Sequence, residues 1–287
     1  MRQTFLNQLG IKIGHSTRKK DLTGVTVFLI EDGARIGIDI RGSATGSYNT
    51  HAYGDMTSSL ELVHAVIFAG GSSFGMESFF GVMQYLADKG IGNHFGSETL
   101  PGVTGAVIYD RSVGNPSYPT KLNGYQAAKE VSYEEYRMGN IGVGTGATIG
   151  KWTGGTKMKG GFGMATIKIP HGIIVTAFVV TNAYGDVINP ETKHWYADVG
   201  GYQYGKNFSF VPESLQANTT LALIATNLYL ARPALSKIAA RCHDAFARAI
   251  FPVHTMVDGD IVFALSTKKN ESDLNKNKTK VTIDQGN

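Results

Sequence analysis

Glycine sets the strongest constraint on what this chain can fold into. Of 287 residues, 36 are glycine, about one in eight against roughly 7% in ordinary usage. They follow no collagen period, so they mark tight turns and close backbone approaches between short structured segments. The runs between them are apolar and of strand length. Gly24–Ile30 and Ala34–Ile40 flank Glu31-Asp32-Gly33 and predict an antiparallel hairpin. Leu62–Ala69 predicts a strand that runs into Gly70–Gly75. Met76, Phe79, Phe80, Met83 and Leu86 then recur at spacings of three and four, which predicts a helix ending at Gly90. Val103–Tyr109, Met164–Ile169, Ile173–Thr181, the run opened by Thr219, and Asp260–Ser266 predict further strands, with Pro170-His171-Gly172 as a turn. Lys121–Met138 reads as a polar, moderately helical segment. Pro233 opens a second clear helix, whose apolar stripe is Leu235, Ile238, Ala239, Cys242, Phe246, Ala249 and Ile250. Arg41–Thr57 is a polar loop, and Asn189–Gln216 an exposed linker leading to Thr219. Strands outnumber helices and βαβ alternation is not sustained, which favours α+β layers over a doubly wound parallel sheet.

Several function classes fall away. Hydrophobic content of 42% and charged content of 17% describe a globular chain, read here as a single domain over residues 1–287. Net charge is +4, but Lys268, Lys269, Lys276, Lys278 and Lys280 crowd the end without interleaved aromatic residues. That is a solvated tail and not a nucleic-acid surface. The lone Cys242 excludes an internal disulfide and a multi-cysteine zinc site. There is no H-E-x-x-H, so neither a metal nor another cofactor is expected. No run approaches the ~20 apolar residues of a membrane helix. Met1–Lys20 has no apolar stretch of signal-peptide length, and the cytoplasm is the default compartment.

A serine and a threonine compete as nucleophiles. Gly71-Ser72-Ser73-Phe74-Gly75 fits G-x-S-x-G between a strand and a helix, the context of a nucleophile elbow at Ser73. A serine esterase of the α/β-hydrolase kind needs an acid and then a histidine on parallel strands. Only His243, within a helix pattern, and His254 stand in place for that. The alternative is a glycine turn feeding a helix N-terminus, where backbone N–H groups bind a carboxylate or oxyanion. Gly142-x-Gly144-x-Gly146 matches neither a dinucleotide nor a Walker loop. Asn218-Thr219 opens an apolar run. Cleavage between them would give Thr219 a free α-amine, of unperturbed pKa about 7.7–8.0, beside its own hydroxyl. Asn182 would supply an amide donor to the oxyanion. Lys151 would keep the amine unprotonated by like charge. Asp258 and Asp260 would hold hydroxyl and amine by charge-assisted hydrogen bonds.

Taken together the residues resemble the DmpA-like peptidases, the N-terminal-nucleophile family of L-aminopeptidase/D-esterases, β-peptidyl aminopeptidases and nylon-oligomer hydrolases. The resemblance is carried by Ile13-Gly14-His15, Gly24–Val27, Arg41-Gly42 and Val63-His64-Ala65 through Gly75. It continues in Gly144–Thr148, Lys159-Gly160-Gly161, Thr181–Asp186, Asn218-Thr219-Thr220, Pro252–Thr255 and Asp258-Gly259-Asp260. It implies an αββα sandwich of the DmpA/ornithine-acetyltransferase type, cleavage into fragments 1–218 and 219–287, and a homo-oligomer, often a tetramer. It implies Thr219 as nucleophile and Asn182 on the oxyanion side. Asp258 and Asp260 stand where the family has its acidic or polar pair, Lys151 where it has a lysine, and Tyr109 where it has a site tyrosine. Ser72 and Ser73 become substrate-binding or structural. The substrate implied is a short peptide or an amide oligomer. Two aspartates with a threonine nucleophile lie nearer the nylon-oligomer hydrolases than the serine β-peptidases. An acyltransferase of the ornithine-acetyltransferase type uses a similar threonine and fold and is the alternative. Family members usually continue with a C-terminal helix, whereas this sequence ends at Asn287 after a polar tail.

Overall fold

In the computed structural model the chain is described over residues 4–152, 157–196 and 218–268. From residue 197 onward the expected linker lies outside the described residues, as do Gly154, Gly155 and the tail lysines beyond Lys268. The main strands are β1 (Lys12–Arg18), β2 (Thr23–Ile40), β3 (Leu62–Ala69), β4 (Val103–Val107), β5 (Gly161–Ile169), β6 (Ile173–Asn182), β7 (Thr219–Thr226) and β8 (Ile261–Ser266). With the two-residue strand Ser47–Tyr48 they form one nine-stranded sheet, in the order β5-β6-β7-β8-β2-β3-β4 and then Ser47–Tyr48, with β1 also paired to β2. The β7/β8 and β3/β4 pairs are parallel.

The expected hairpin over Gly24–Ile30 and Ala34–Ile40 does not form. Both runs belong to the continuous 18-residue β2, and they do not pair with each other. The first half pairs with β1 and β3, while the second pairs mainly with β8. Gly33, at φ 75°, makes a bulge where a turn was expected, and the register against β3 jumps between Leu29 and Ala34. Each half has its own apolar partners, so the extra residues bend the strand and do not reverse it.

That bend lets the sheet face itself. Phe28 of β2 and Phe178 of β6 have ring centroids 4.9 Å apart. The two strands are three places apart in the sheet, which is about 14 Å in a flat one. The halves must therefore pack face to face. Phe28, Phe68, Phe162, Phe178 and Phe263 fill the space between them.

Two helices, α1 (Glu77–Asp88) and α2 (Lys121–Lys129), cover one outer face, with Phe79, Val82 and Leu86 against Val25, Val27 and Ile67. The other outer face is covered by α3 (Arg232–Ala249), with Leu235, Ala239 and Phe246 against Ala222, Val262 and Ala264. The alternation is strict along β7, where Leu221 and Leu223 point between the half-sheets and Ala222 points toward α3. The layers are helix, sheet, sheet, helix, as expected. The segment Lys121–Met138 stays helical only to Lys129, because Ser132 leaves to exchange backbone hydrogen bonds of 3.0 and 2.9 Å with Ile13. No helix among the described residues is long and apolar enough to cross a membrane.

Candidate active site

Strand ends bring the candidate residues together. β6 ends on Asn182 and β7 starts on Thr219, and the two are direct antiparallel partners. On the other side of β7 lies the loop that leads into β8. Asn218 N–H donates to the Val257 carbonyl at 2.8 Å, and Gly259 N–H donates to the Asn218 carbonyl at 2.7 Å. Thr220 N–H donates to Asp260 Oδ1 at 2.7 Å. Asn182, Asn218, Thr219, Asp258 and Asp260 are each exposed by 3% or less. Five polar side chains therefore share one dry spot at the edge of the inter-sheet core.

Their roles differ by geometry. Thr219 Oγ1 donates to the carbonyl oxygen of Asn218. Asn182 Oδ1 accepts from Thr148 N–H at 2.9 Å and from Lys151 Nζ at 3.2 Å. A backbone N–H only donates, so this contact fixes which way the amide faces. Asn182 Nδ2 then gives one hydrogen to the Tyr109 carbonyl at 3.1 Å and keeps a second. Lys151 Nζ also donates to the Asn182 carbonyl at 3.0 Å. Burial pulls the Lys151 amine down to about 7, against the attraction of Asp258. Asp258 is pushed up to about 6, first by burial and then by the neighbouring Asp260 charge. Its oxygens accept from Tyr184 N–H at 3.1 Å and from the Thr255 hydroxyl at 2.5 Å.

The other candidates lie at the margin. Tyr109 touches Asn182 through its carbonyl. Ser72 and Ser73 sit in a short 3-10 turn, Ser72–Met76, with Ser72 at φ 56° and Ser73 exposed. Gly71 N–H joins that turn to Asp110 at 2.7 Å, next in sequence to Tyr109. The elbow at Ser73 is not a catalytic arrangement. His254 is engaged on Asp260 at 2.8 Å and His243 on the Asp39 carbonyl at 3.1 Å. The sheet is antiparallel at most junctions, unlike an α/β-hydrolase. Among the described residues, no group of His, Cys, Asp and Glu is placed to hold a metal.

Sequence reasoning placed Thr148, Thr255, Tyr184 and Gly259 within matching stretches but gave them no role. All four donate through backbone N–H groups, which by themselves leave no mark on residue type. Gly259 does leave one: a Cβ there would lie 2.8 Å from Thr219 Oγ1, so only glycine fits between the two acids.

The fold agrees with that of similar proteins. The model of peptidase family S58 matches residues 8–286. An uncharacterized aminopeptidase of Mycobacterium tuberculosis is 35% identical over 281 residues, covering 90% of this chain and 79% of the relative. A 6-aminohexanoate-oligomer endohydrolase of Paenarthrobacter ureafaciens is 30% identical over 270 residues, covering 90% and 73%. Among solved structures, a Burkholderia sp. beta-aminopeptidase superposes with a TM-score of 0.65 at 16% identity, covering 94% of this chain and 74% of that one. The L-aminopeptidase D-Ala-esterase/amidase of Ochrobactrum anthropi, described as a variant of the Ntn hydrolase fold, gives 0.63 at 17%, covering 93% and 79%. The chain belongs to peptidase family S58 and is an amide-bond hydrolase.

Proposed function

We propose that the chain cuts itself between Asn218 and Thr219, and that the freed Thr219 is the nucleophile for external amides. The observation that carries this is the alignment of Thr219 directly opposite Asn182, with its hydroxyl already on the Asn218 carbonyl. In the intact chain the Thr219 oxygen adds to the Asn218 carbonyl carbon while Gly259 N–H holds the oxygen that becomes negative. The C–N bond breaks, the nitrogen keeps the proton lost by the hydroxyl, and an ester remains. Water opens it, leaving an Asn218 carboxylate and a Thr219 with free amine and free hydroxyl.

In turnover the amine takes the hydroxyl proton and passes it to the leaving amine, and the acyl group rests on Thr219 until water removes it. The second N–H of Asn182 serves the oxyanion. Lys151 opposes protonation of the nearby amine. Asp258 and Asp260 hold the amine end of Thr219 and favour a substrate with a cationic amino terminus. Short linear amides of that kind fit, namely peptides, β-peptides or aminohexanoate oligomers. The relative named as a 6-aminohexanoate-oligomer endohydrolase supports the last. Ile167, 60% exposed on the edge strand β5, supports self-association, and we assign a homo-oligomer, a tetramer. The lone Cys242 suits a reducing compartment, and we place the enzyme in the cytoplasm.

Denaturing mass spectrometry tests the central step. Two fragments meeting at 218/219 are expected, and a continuous chain with full activity would refute the proposal. Thr219→Ala is expected to abolish both cutting and hydrolysis, whereas Ser73→Ala leaves cutting in place.

A further inference from the structure

Two buried carboxylates two residues apart raise a question that the nucleophile alone does not answer: which of them exchanges a proton. Their donors are distributed unevenly. Asp258 accepts from Tyr184 N–H, Thr255 N–H and the Thr255 hydroxyl. Asp260 accepts from Thr220 N–H on one oxygen. Its other oxygen takes both donors of a single residue, His254, at 3.1 Å from the backbone N–H and 2.8 Å from ring Nδ1. His254 reaches both because its backbone is left-handed, at φ 55°, a conformation that non-glycine residues seldom adopt. The strain is tolerated where it aims a group.

The far side of the ring is enclosed as well. His254 lies edge-on to His243 of α3, with centroids 4.8 Å apart. His243 is fully buried, and its Nε2 faces Asp39, 3.1 Å from the carbonyl and 3.3 Å from Oδ1. Among the described residues, His254 Nε2 and His243 Nδ1 are both buried without a hydrogen-bond partner. Among the described residues the only acceptor the His254 ring meets is therefore Asp260. A carboxylate accepts and does not donate, so the Nδ1 proton sits between them.

We propose that His254 is a positioning residue of this site: its Nδ1–H, with its backbone N–H, holds Asp260 in place as the acceptor of Thr220 N–H, and so leaves Asp258 as the member of the pair that exchanges a proton. The pair then divides its labour as unequal acids do when their surroundings push them apart. The raised value of Asp258, about 6, agrees with this division. The proposal rests on Thr219 being the nucleophile. The charged groups that bear on it are Asp260 and Asp258 in the loop, Lys151 beside Asp258, His243 from α3, and Asp39 and Arg41 behind His243.

The test compares His254→Phe, which keeps an aromatic ring against His243 and Phe246 but has no N–H, with His254→Asn, which tolerates left-handed backbone and restores a donor. The probe is an aminoacyl p-nitroanilide. Self-cutting is followed by denaturing mass spectrometry. His254→Phe is expected to lower kcat by about 10- to 100-fold, the range seen when the partner that orients a working group is lost, with KM nearly unchanged and self-cutting slowed in parallel. Its acid limb of kcat moves as well, because the carboxylate that faces Asp258 is no longer held by the ring donor. His254→Asn recovers most of kcat. Wild-type kcat and an unmoved limb in His254→Phe would overturn the proposal.

Should neither variant fold, ring ¹⁵N shifts of His254 in the wild-type protein decide. A protonated Nδ1 supports the assignment and a bare Nδ1 overturns it. Persistent hydrolysis by Thr219→Ala would instead remove the nucleophile assignment and leave the ring measurement standing.

Discussion

Asp258 and Lys151 make opposite contributions to stability. Asp258 has its folded-state value raised from 3.8 to about 6. The native chain therefore binds the extra proton across that interval, and stability is lost as pH rises through it. Above pH 6 the ionised, buried carboxylate works against folding. Asp258→Asn removes the charge, and the Thr255 hydroxyl can turn to accept from the new amide. The variant should melt a few degrees above wild type at pH 7.5, with the gap closing below pH 4, and should fail to process. A thermal melt series across pH checks this, and no gain at pH 7.5 would count against it. Lys151 is depressed from 10.5 to about 7, so stability rises with pH across that window, and Lys151→Met should flatten the rise. This residue-level chemistry was legible only in part. Thr219, Asn182, Lys151, Asp258 and Asp260 were named from the sequence because a family pattern marks them, and they do converge. His254 was given a role only as a possible partner of Ser73, because nothing in residue order says that its left-handed backbone aims it at Asp260.

Strands and helices were legible where one apolar period held over a whole element, as in α1 and α3. β2 was misread because Glu31-Asp32-Gly33 carries the same residues as a hairpin turn. Whether such a triplet reverses the chain depends on which strands lie alongside, and those come from β1, β3 and β8. Glycine positions sort the same way. A Cβ on Gly37 of β2 would lie 2.2 Å from Ser236 N and 2.4 Å from Leu235 C, in the backbone of α3. A Cβ on Gly163 of β5 meets nothing within 4 Å. Gly37→Ala must push α3 off the sheet and should cost more than about 2 kcal/mol, as overpacked positions do. Gly163→Ala should be neutral or stabilise by about 0.4–1 kcal/mol, by restricting the unfolded chain. Urea titration of both variants measures the contrast, and equal midpoints would show that α3 does not rest on Gly37.

At the scale of the whole molecule, the bond proposed to break lies at one end of a central strand. β7 is hydrogen-bonded to β6 over Val175–Asn182 and to β8 over Ile261–Ser266. Its inward side chains, Leu221, Leu223 and Ala225, belong to the core between the half-sheets, and Ala222 packs under α3. Cleavage before Thr219 removes one covalent link and none of these contacts. β8 in turn pairs with β2, so the second fragment is bound along both of its main strands to elements of the first. The two fragments should therefore remain one particle. Native mass spectrometry should show them together, while denaturing conditions separate them. Phe178→Ala probes the same core from the other side, since that ring joins the two half-sheets against Phe28. Its loss should destabilise the protein by about 3–5 kcal/mol. Because Phe178 lies on the strand that ends in Asn182, processing should slow as well. Fragments that dissociate under native conditions would mean that the sheet is held at this position by the chain and not by its packing.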